Sequence, residues 1–186
     1  MNETIRNILA RRSMRSYEAR PVEEEKLAAI LECAQFAPSA TNRQPWHFTV
    51  VLSRAMLDKI SAENKKVMLA SPDEKVRQRA QDPGYDSFRG APMAIIVSGA
   101  KEAAYAACDC ANAVENMAIA ATSLGLGSCY LGSFKVAMER PEGAHLLAEL
   151  GIPEGYVPLY ALSIGYGNES LGERAPRKEG TITFIQ

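Results

Sequence analysis

The sequence predicts one domain that mixes helices and strands around a shared core, and three observations carry that expectation. The chain has 186 residues, enough to bury a core of useful size. Segments with apolar residues at helical spacing are interleaved with short β-branched runs. The strongest run, 157–165, is apolar nearly throughout and is expected at the centre of a sheet. The third observation is the stretch 106–133, around which the rest is organised. Its first part, to about Leu124, is a helix with little bulk: alanine recurs at 106, 107, 111, 113, 118, 120 and 121, so other backbones can approach closely. Asp109, Asn112, Glu115 and Asn116 share one arc with Ile119, and Cys110, Ala113, Val114, Met117, Ala121 and Leu124 spread over the opposite face. A helix this apolar is expected in the interior.

In chain order, Ile5, Ile8 and Leu9 predict a first short helix capped by Asn2 or Thr4. It ends in Arg11-Arg12-Ser13-Met14-Arg15, which reads either as solvated charge or as a phosphate site, since guanidinium forks bond phosphate oxygens bidentately. Pro21 precedes a second helix with Glu23, Glu24 and Glu25 in its first turn and Leu27, Ile30, Leu31 and Ala34 on its apolar face. Between Pro38 and Pro45 lies a polar loop rich in hydroxyl and amide side chains. Residues 46–52 predict a strand, and Ser53 caps a third helix carrying Met56, Leu57 and Ile60. From 61 to 88 the chain turns polar. One or two surface helices are expected there, either a mobile cover over a site or an inert excursion.

Residues 92–98 predict a buried strand that leads into the alanine-rich helix. Gly125 stops that helix, and a glycine-rich turn is expected to follow, with Tyr130 and Leu131 between Gly127 and Gly132. Such a turn is either a flexible exit or a backbone surface for a flat or phosphorylated ligand. Short helical pieces follow at 134–138 and 143–150, then a turn at 151–156 and the strand at 157–165. A basic turn, Arg174-Ala175-Pro176-Arg177-Lys178, comes before 181–185, which reads as a terminal strand needing a sheet edge on its own subunit or another.

Several function classes are disfavoured. A net charge of −1 gives no general pull toward nucleic acid or membrane. No apolar run is long enough to span a bilayer, and the first residues do not begin a signal peptide. The four cysteines lack a disulfide-framework spacing, so reduced thiols and a cytoplasmic setting are expected. Cys108 and Cys110 point about 200° apart on a helix, and no metal site is expected. His47 and His145 have no acid or nucleophile spacing near them, which argues against a catalytic triad.

A basic cluster near residue 13, a second near 177 and an amide-rich glycine turn near 130 suit a phosphate attached to a flat ring system. The glycines leave a helix where those of a Rossmann fingerprint enter one, and no Gly-Lys-Ser/Thr of a P-loop is present. Four motifs stand in order: Arg11-Arg12-Ser13-x-Arg15; Pro38-Ser39-x-x-Asn42-x-Gln44-Pro45-Trp46; Asp109-x3-Ala113-x2-Asn116-Met117 leading to Gly125-Leu126-Gly127-Ser128-Cys129-Tyr130-Leu131-Gly132; and Gly151-Ile152-Pro153-Glu154-Gly155-Tyr156 followed by a strand and Pro176-Arg177-Lys178. With these motifs the chain resembles the nitroreductase family over nearly its whole length.

The resemblance implies an α+β fold, with a central, mostly antiparallel sheet flanked by helices, and an entwined homodimer holding two FMN molecules at the subunit interface. It implies that Arg11, Arg12, Ser13 and Arg15 hold the phosphate, ribityl chain and pyrimidine edge of FMN. Arg177 would sit at the phosphate, with Arg174 a second candidate. Pro38, Ser39 and Asn42 would reach the flavin from the partner, and Tyr130, Leu131, Gly132 and Ser133 would line its ring with a backbone amide near N5. The family often crosses its C-terminal segment onto the partner, which would give 181–185 an edge. Tyr130 stands where many members have Trp, and few residues separate the strand ending near Ser98 from Asp109, where longer members insert a helical excursion.

The activity so implied is ping-pong transfer of two electrons from NADH or NADPH through FMN to a nitroaromatic, a quinone or a similar small acceptor. The flavin carries the chemistry, so no catalytic side chain is assigned. Two alternatives keep the fold: a specialised flavin enzyme, such as a dehalogenase or flavin-modifying enzyme, and a flavin-binding carrier or sensor without turnover.

Overall fold

The computed structural model describes residues 1–186. Along the chain it places α1 (Glu3–Ala10), α2 (Glu24–Gln35), β1 (Trp46–Val51), α3 (Arg54–Leu69), α4 (Glu74–Gln81), β2 (Met93–Ala100), α5 (Ala106–Ser123), β3 (Gly127–Leu131), α6 (His145–Glu149) and β4 (Tyr156–Gly165). The strands lie in the order β1-β2-β4-β3, every neighbour antiparallel. The expected central strand is central: β4 pairs with β2 on one side and β3 on the other.

Strand alternation divides the interior into two cores. Ile95, Val97, Leu162 and Ile164 face α2 and α5, and pack with Ile30, Ala34, Ala113, Val114, Met117 and Ala121. Ala94, Ile96, Cys129, Leu131 and Ala161 face the other way, toward Leu57, Ile60, Phe88, Phe134 and Leu146. With both faces covered, β2 is buried from Met93 to Gly99, which is why it reads as a continuous apolar run.

Helix boundaries follow their caps. The side chain of Asn2 accepts from the Ile5 N–H and that of Ser53 from the Met56 N–H. Helix α5 ends in a Schellman turn: the Leu126 N–H bonds Ala121 O at 2.8 Å, the Gly125 N–H bonds Thr122 O at 3.1 Å, and Gly125 takes φ +75. Its polar arc makes contacts as well as facing water: Glu115 is exposed, but the other three are bonded. Asn112 Nδ2 donates to Pro38 O at 3.2 Å, Asn116 Nδ2 to Cys33 O at 3.0 Å, and buried Asp109 accepts the Ala40 N–H at 3.2 Å. The arc therefore fastens α2 and the loop after it.

Three expectations change. The stretch from Gly127 to Leu131, expected as a turn, is edge strand β3, because its residues pair in register with Gly165 to Ala161. The polar stretch begins inside α3, and three of its polar residues are interior. Asn64 is fully buried, donating to Ser87 Oγ and Phe134 O and accepting the Ala137 N–H, while Ser61 and Ser87 are also buried. Residues 181–185 form no strand within the chain: no edge of the sheet reaches them, and Ile182, Phe184 and Ile185 are 74%, 86% and 95% exposed.

Candidate functional site

The segment after α1 crosses the open edge of the sheet. Ser13 forms a parallel bridge with Ser128 of β3, where the Met14 N–H donates to Ser128 O at 2.8 Å. Farther on, Tyr17 pairs with Gly167 and the Glu18 N–H bonds Tyr166 O at 2.8 Å. The approach is close: a Cβ on Gly127 would lie 2.7 Å from Met14 Cγ, so glycine makes room for this crossing. The chain beyond β4 then folds back over it. Arg12 Nη1 donates to Gly172 O at 2.5 Å, and Arg174 Nη2 donates to the Ala10 and Arg11 carbonyls at 2.9 and 3.2 Å.

The two basic clusters, far apart in sequence, therefore line one cleft of about 240 Å³ with Arg11, Arg12, Ser13, Arg15, Arg174 and Arg177 on its walls. A single carboxylate pairs with these arginines, Glu115 at 3.5 Å from Arg11 Nε. Glu169 accepts the Arg15 N–H. Arg174 is partly committed to the last carbonyls of α1, a normal position for a cation at a helix C-terminus. The cleft keeps a strong positive surplus suited to a phosphate.

A larger cavity of about 710 Å³ lies between α3 and the 136–143 segment, far from these residues in sequence and with different chemistry. Charges on its walls pair locally, Lys66 with Glu63 at 2.6 Å and Glu139 with Lys135 at 2.7 Å. Size alone does not select a site, and the surplus of cations favours the smaller cleft.

From Ser128, β3 leads away from the basic cleft to Gly132, about 13 Å of extended chain. Because Ser128 O points outward to Met14, alternation turns the Tyr130 N–H off the same open edge, away from β4. The Tyr130 ring is half-buried, edge-on to Tyr160 at 5.2 Å, and burial pushes its hydroxyl pKa up. The Leu131 side chain is buried in the second core, so only its backbone can meet a ligand. Gly132 is exposed, and Ser133 opens the short 3-10 turn Ser133–Lys135.

Pro38, Ser39 and Asn42 do not line the basic cleft. Their loop packs on the start of α5, beside a separate hollow of about 260 Å³ lined by Ala40, Thr41, Arg43, Tyr105 and Asp109. Ser39 Oγ accepts the Gln44 N–H at 3.0 Å, and Asn42 Oδ1 accepts from Gln44 Nε2 at 3.1 Å. Thr41, Asn42 and Gln44 take φ of 51, 54 and 49, left-handed geometry that costs a residue with a Cβ about 1–2 kcal/mol. Such strain persists where the surroundings over-determine it, and it concentrates at ligand-binding segments.

Sequence reasoning missed two groups. Ser128 Oγ and Arg89 Nε are buried without hydrogen-bond partners. Burial raises the pKa of the Cys129 thiol, opposed by the charges of Arg15, Arg89 and Arg11, so Arg89 shares the electrostatic neighbourhood of the basic segment. A lone Arg-Gly before an apolar strand gives no periodic or motif signal. Cys110, on the other face of the sheet, is pushed up to about 12 by burial and then by Asp109, which leaves it an unreactive thiol.

The open edge thus offers a phosphate-sized basic cleft and a straight backbone path carrying an outward amide. These suit an elongated ligand with a phosphate at one end and a polar, flat ring at the other. Comparison with known proteins points the same way. The family model described as Nitroreductase family matches residues 8–166. A protein of Archaeoglobus fulgidus named for NADH dehydrogenase/NAD(P)H nitroreductase activity is 38% identical over 168 residues, covering 89% of this chain and 86% of that one. A nitroreductase with bound FMN from Bacteroides fragilis superposes with a TM-score of 0.93 at 35% identity, over 100% of both chains. Another with bound FMN, from Desulfitobacterium hafniense, gives 0.92 at 30% identity, also over 100% of both.

Proposed function

The chain belongs to the nitroreductase family and has its α+β fold, and from that footing we propose that it is an FMN-dependent NAD(P)H oxidoreductase. The observation that carries the reading is the cleft in which Arg11, Arg12, Arg15, Arg174 and Arg177 meet with one paired carboxylate among them. When bound, the flavin supplies the redox chemistry, taking two electrons from NADH or NADPH and passing them to a nitroaromatic, quinone or similar acceptor.

The chain's own residues bind and orient. Arg11, Arg12, Ser13 and Arg177 hold the phosphate and ribityl chain, and Arg15 meets the pyrimidine edge. Arg174, anchored on Ala10 and Arg11, braces the floor of the cleft. Tyr130, Leu131, Gly132 and Ser133 wall the ring, with a backbone amide turned toward it. Pro38, Ser39 and Asn42 reach the flavin from a second copy, a reading supported by their loop opening on a different hollow within one chain. On this reading the protein is a homodimer, and the exposed apolar tail at 181–185 crosses to the partner's sheet edge. Donor and acceptor bind in turn on the same open face, giving ping-pong kinetics, and no side-chain acid or base is required. The setting is cytoplasmic, with the four thiols free.

Anaerobic stopped-flow mixing of the FMN-loaded protein with NADH or NADPH tests this. Bleaching of the flavin absorbance, then recovery on adding menadione or a nitrofuran, is the expected result. Absence of bleaching with both nucleotides would overturn the oxidoreductase reading and leave a flavin carrier.

A further inference from the structure

The two walls of the basic cleft come from opposite ends of the chain, Arg11 to Arg15 on one side and Leu171 to Arg177 on the other. Neither wall is built on regular structure: the first follows α1, the second follows β4, and both are extended loop. Arginines gathered on two loops repel one another, so the walls separate unless something ties them. The tie is the short exposed stretch Gly167-Asn168-Glu169, just before the second wall.

Its bonds fall on four consecutive residues of the first segment. Tyr17 pairs antiparallel with Gly167, and the Asn168 N–H donates to Ser16 O at 3.3 Å. The Asn168 side chain extends this short ladder: its Oδ1 accepts from Ser16 Oγ, and its Nδ2 donates to Tyr17 O at 3.2 Å. The Glu169 carboxylate accepts the Arg15 N–H. Met14 is seated between two glycines, since a Cβ on Gly167 would lie 2.3 Å from its Cε and one on Gly127 2.7 Å from its Cγ. From below, the buried Tyr17 hydroxyl donates to Met14 O at 2.9 Å. Every residue from Met14 to Tyr17 is thus fixed, and Ser13 and Arg15 are held at the mouth of the cleft.

Residues 167–169 are exposed and belong to neither core, so their bonds add little to global stability. What they fix is the spacing of the arginines. We propose that Asn168, seconded by Glu169, is the positioning residue of the basic cleft: by clipping 167–169 onto 14–17 it brings Arg11, Arg12 and Arg15 opposite Arg174 and Arg177, so that both walls meet one phosphate group together. The proposal rests on the phosphate reading of the cleft above. Guanidinium forks need a defined geometry to bond phosphate bidentately, and a clip formed on folding spares the ligand the cost of ordering two mutually repelling loops. Clip and walls lie on one chain, so the device works without a partner. It acts on the phosphate end of FMN and leaves riboflavin, the same ring and chain without the phosphate, largely untouched.

The test is titration of the flavin-free protein with FMN and with riboflavin, read by flavin fluorescence, beside urea unfolding of the same samples. Asn168→Ala should weaken FMN about tenfold, near the lower end for one charged hydrogen bond, with riboflavin affinity and the urea midpoint unchanged. Ser16→Ala removes one bond of the clip and should give the same selective loss at smaller size; combined with Asn168→Ala it should add almost nothing. Should Asn168→Ala fail to fold, Ser16→Ala carries the same comparison. Glu169→Ala should also weaken FMN selectively, whereas Glu169→Gln, which keeps an acceptor for the Arg15 N–H, should recover the loss. Equal weakening of FMN and riboflavin would overturn the positioning role, as would an unchanged FMN affinity in Asn168→Ala or full additivity of the Ser16 and Asn168 variants. Wild-type protein that binds riboflavin as tightly as FMN would overturn the phosphate reading of the cleft itself, a failure seen before any variant is compared.

Discussion

Strand β2 buries every residue from Met93 to Gly99, whereas α1 buries none. The contrast extends beyond these two elements. Both faces of the sheet are closed by side chains of the same chain, with Ile30, Leu57, Ile95, Ile96, Phe134 and Leu162 at zero exposure. At the periphery Ile5, Ile8 and Leu9 are about half exposed, Phe36 is 80% exposed, and the tail carries three bare apolar side chains. Scattered exposed hydrophobes are ordinary, but an amphipathic helix and a β-like tail lying open together are the kind of surface that partners cover. The arginines of the basic cleft come from the segments beside that periphery, after α1 and after β4. One region is closed by a single chain, and the other leaves its apolar side chains open.

Substitutions can break or sharpen that contrast. The largest effect belongs to the sheet core: Leu162→Ala should cost about 2–5 kcal/mol of unfolding free energy, read in urea, with or without FMN. Next comes Arg177→Ala, expected to weaken FMN binding by about 1.5–3 kcal/mol while the apoprotein unfolds at the same urea concentration. A large apo-stability loss there would show that the cleft is part of the core after all. Smaller still is a pair of caps. Ser53→Ala should lower global stability by about 1 kcal/mol because α3 is locked onto the second core. Asn2→Ala should only speed hydrogen exchange in α1, which can fray without disturbing either core.

The smallest effect is acid sensitivity at Asp86, whose carboxylate accepts from Ser61 Oγ, the Phe88 and Gly90 amides and Arg54 Nη2. The Asp86 pKa is depressed in the folded chain, so its contribution is complete above the ordinary value of 3.8 and is lost as pH falls through the folded value. Asp86→Asn should flatten the stability profile in that acid range. An unchanged slope would mean that this carboxylate carries no net linkage.

The self-sufficient region was the more legible in sequence. The caps at Asn2 and Ser53, the apolar face of α2, the run that became β4 and the stop at Gly125 all follow from local chemistry, because period and cap residues act within a few positions. The segment from Gly127 to Leu131 was misread as a turn, since glycine density signals a turn while the pairing that makes it a strand comes from β4, about thirty residues later. The terminal segment has strand composition but no edge to pair with in its own chain, a fact no composition reveals. Within the site, the arginines near 13 and 177 were legible as two clusters, and their meeting in one cleft needed the fold. The clip at Asn168 was illegible because Ser16 and Tyr17, which it ties, lie at the other end of the chain.

The central claim is that the open periphery is completed by a second copy and its cofactor. Light scattering coupled to size exclusion, with absorbance read in the flavin band, tests it most directly on intact protein and on a variant ending at Glu179. Intact protein should elute as a dimer carrying one FMN per chain, and the shortened form should lose both dimer and colour while its core stays folded by circular dichroism. A shortened monomer that still binds one FMN with unchanged affinity would contradict the account.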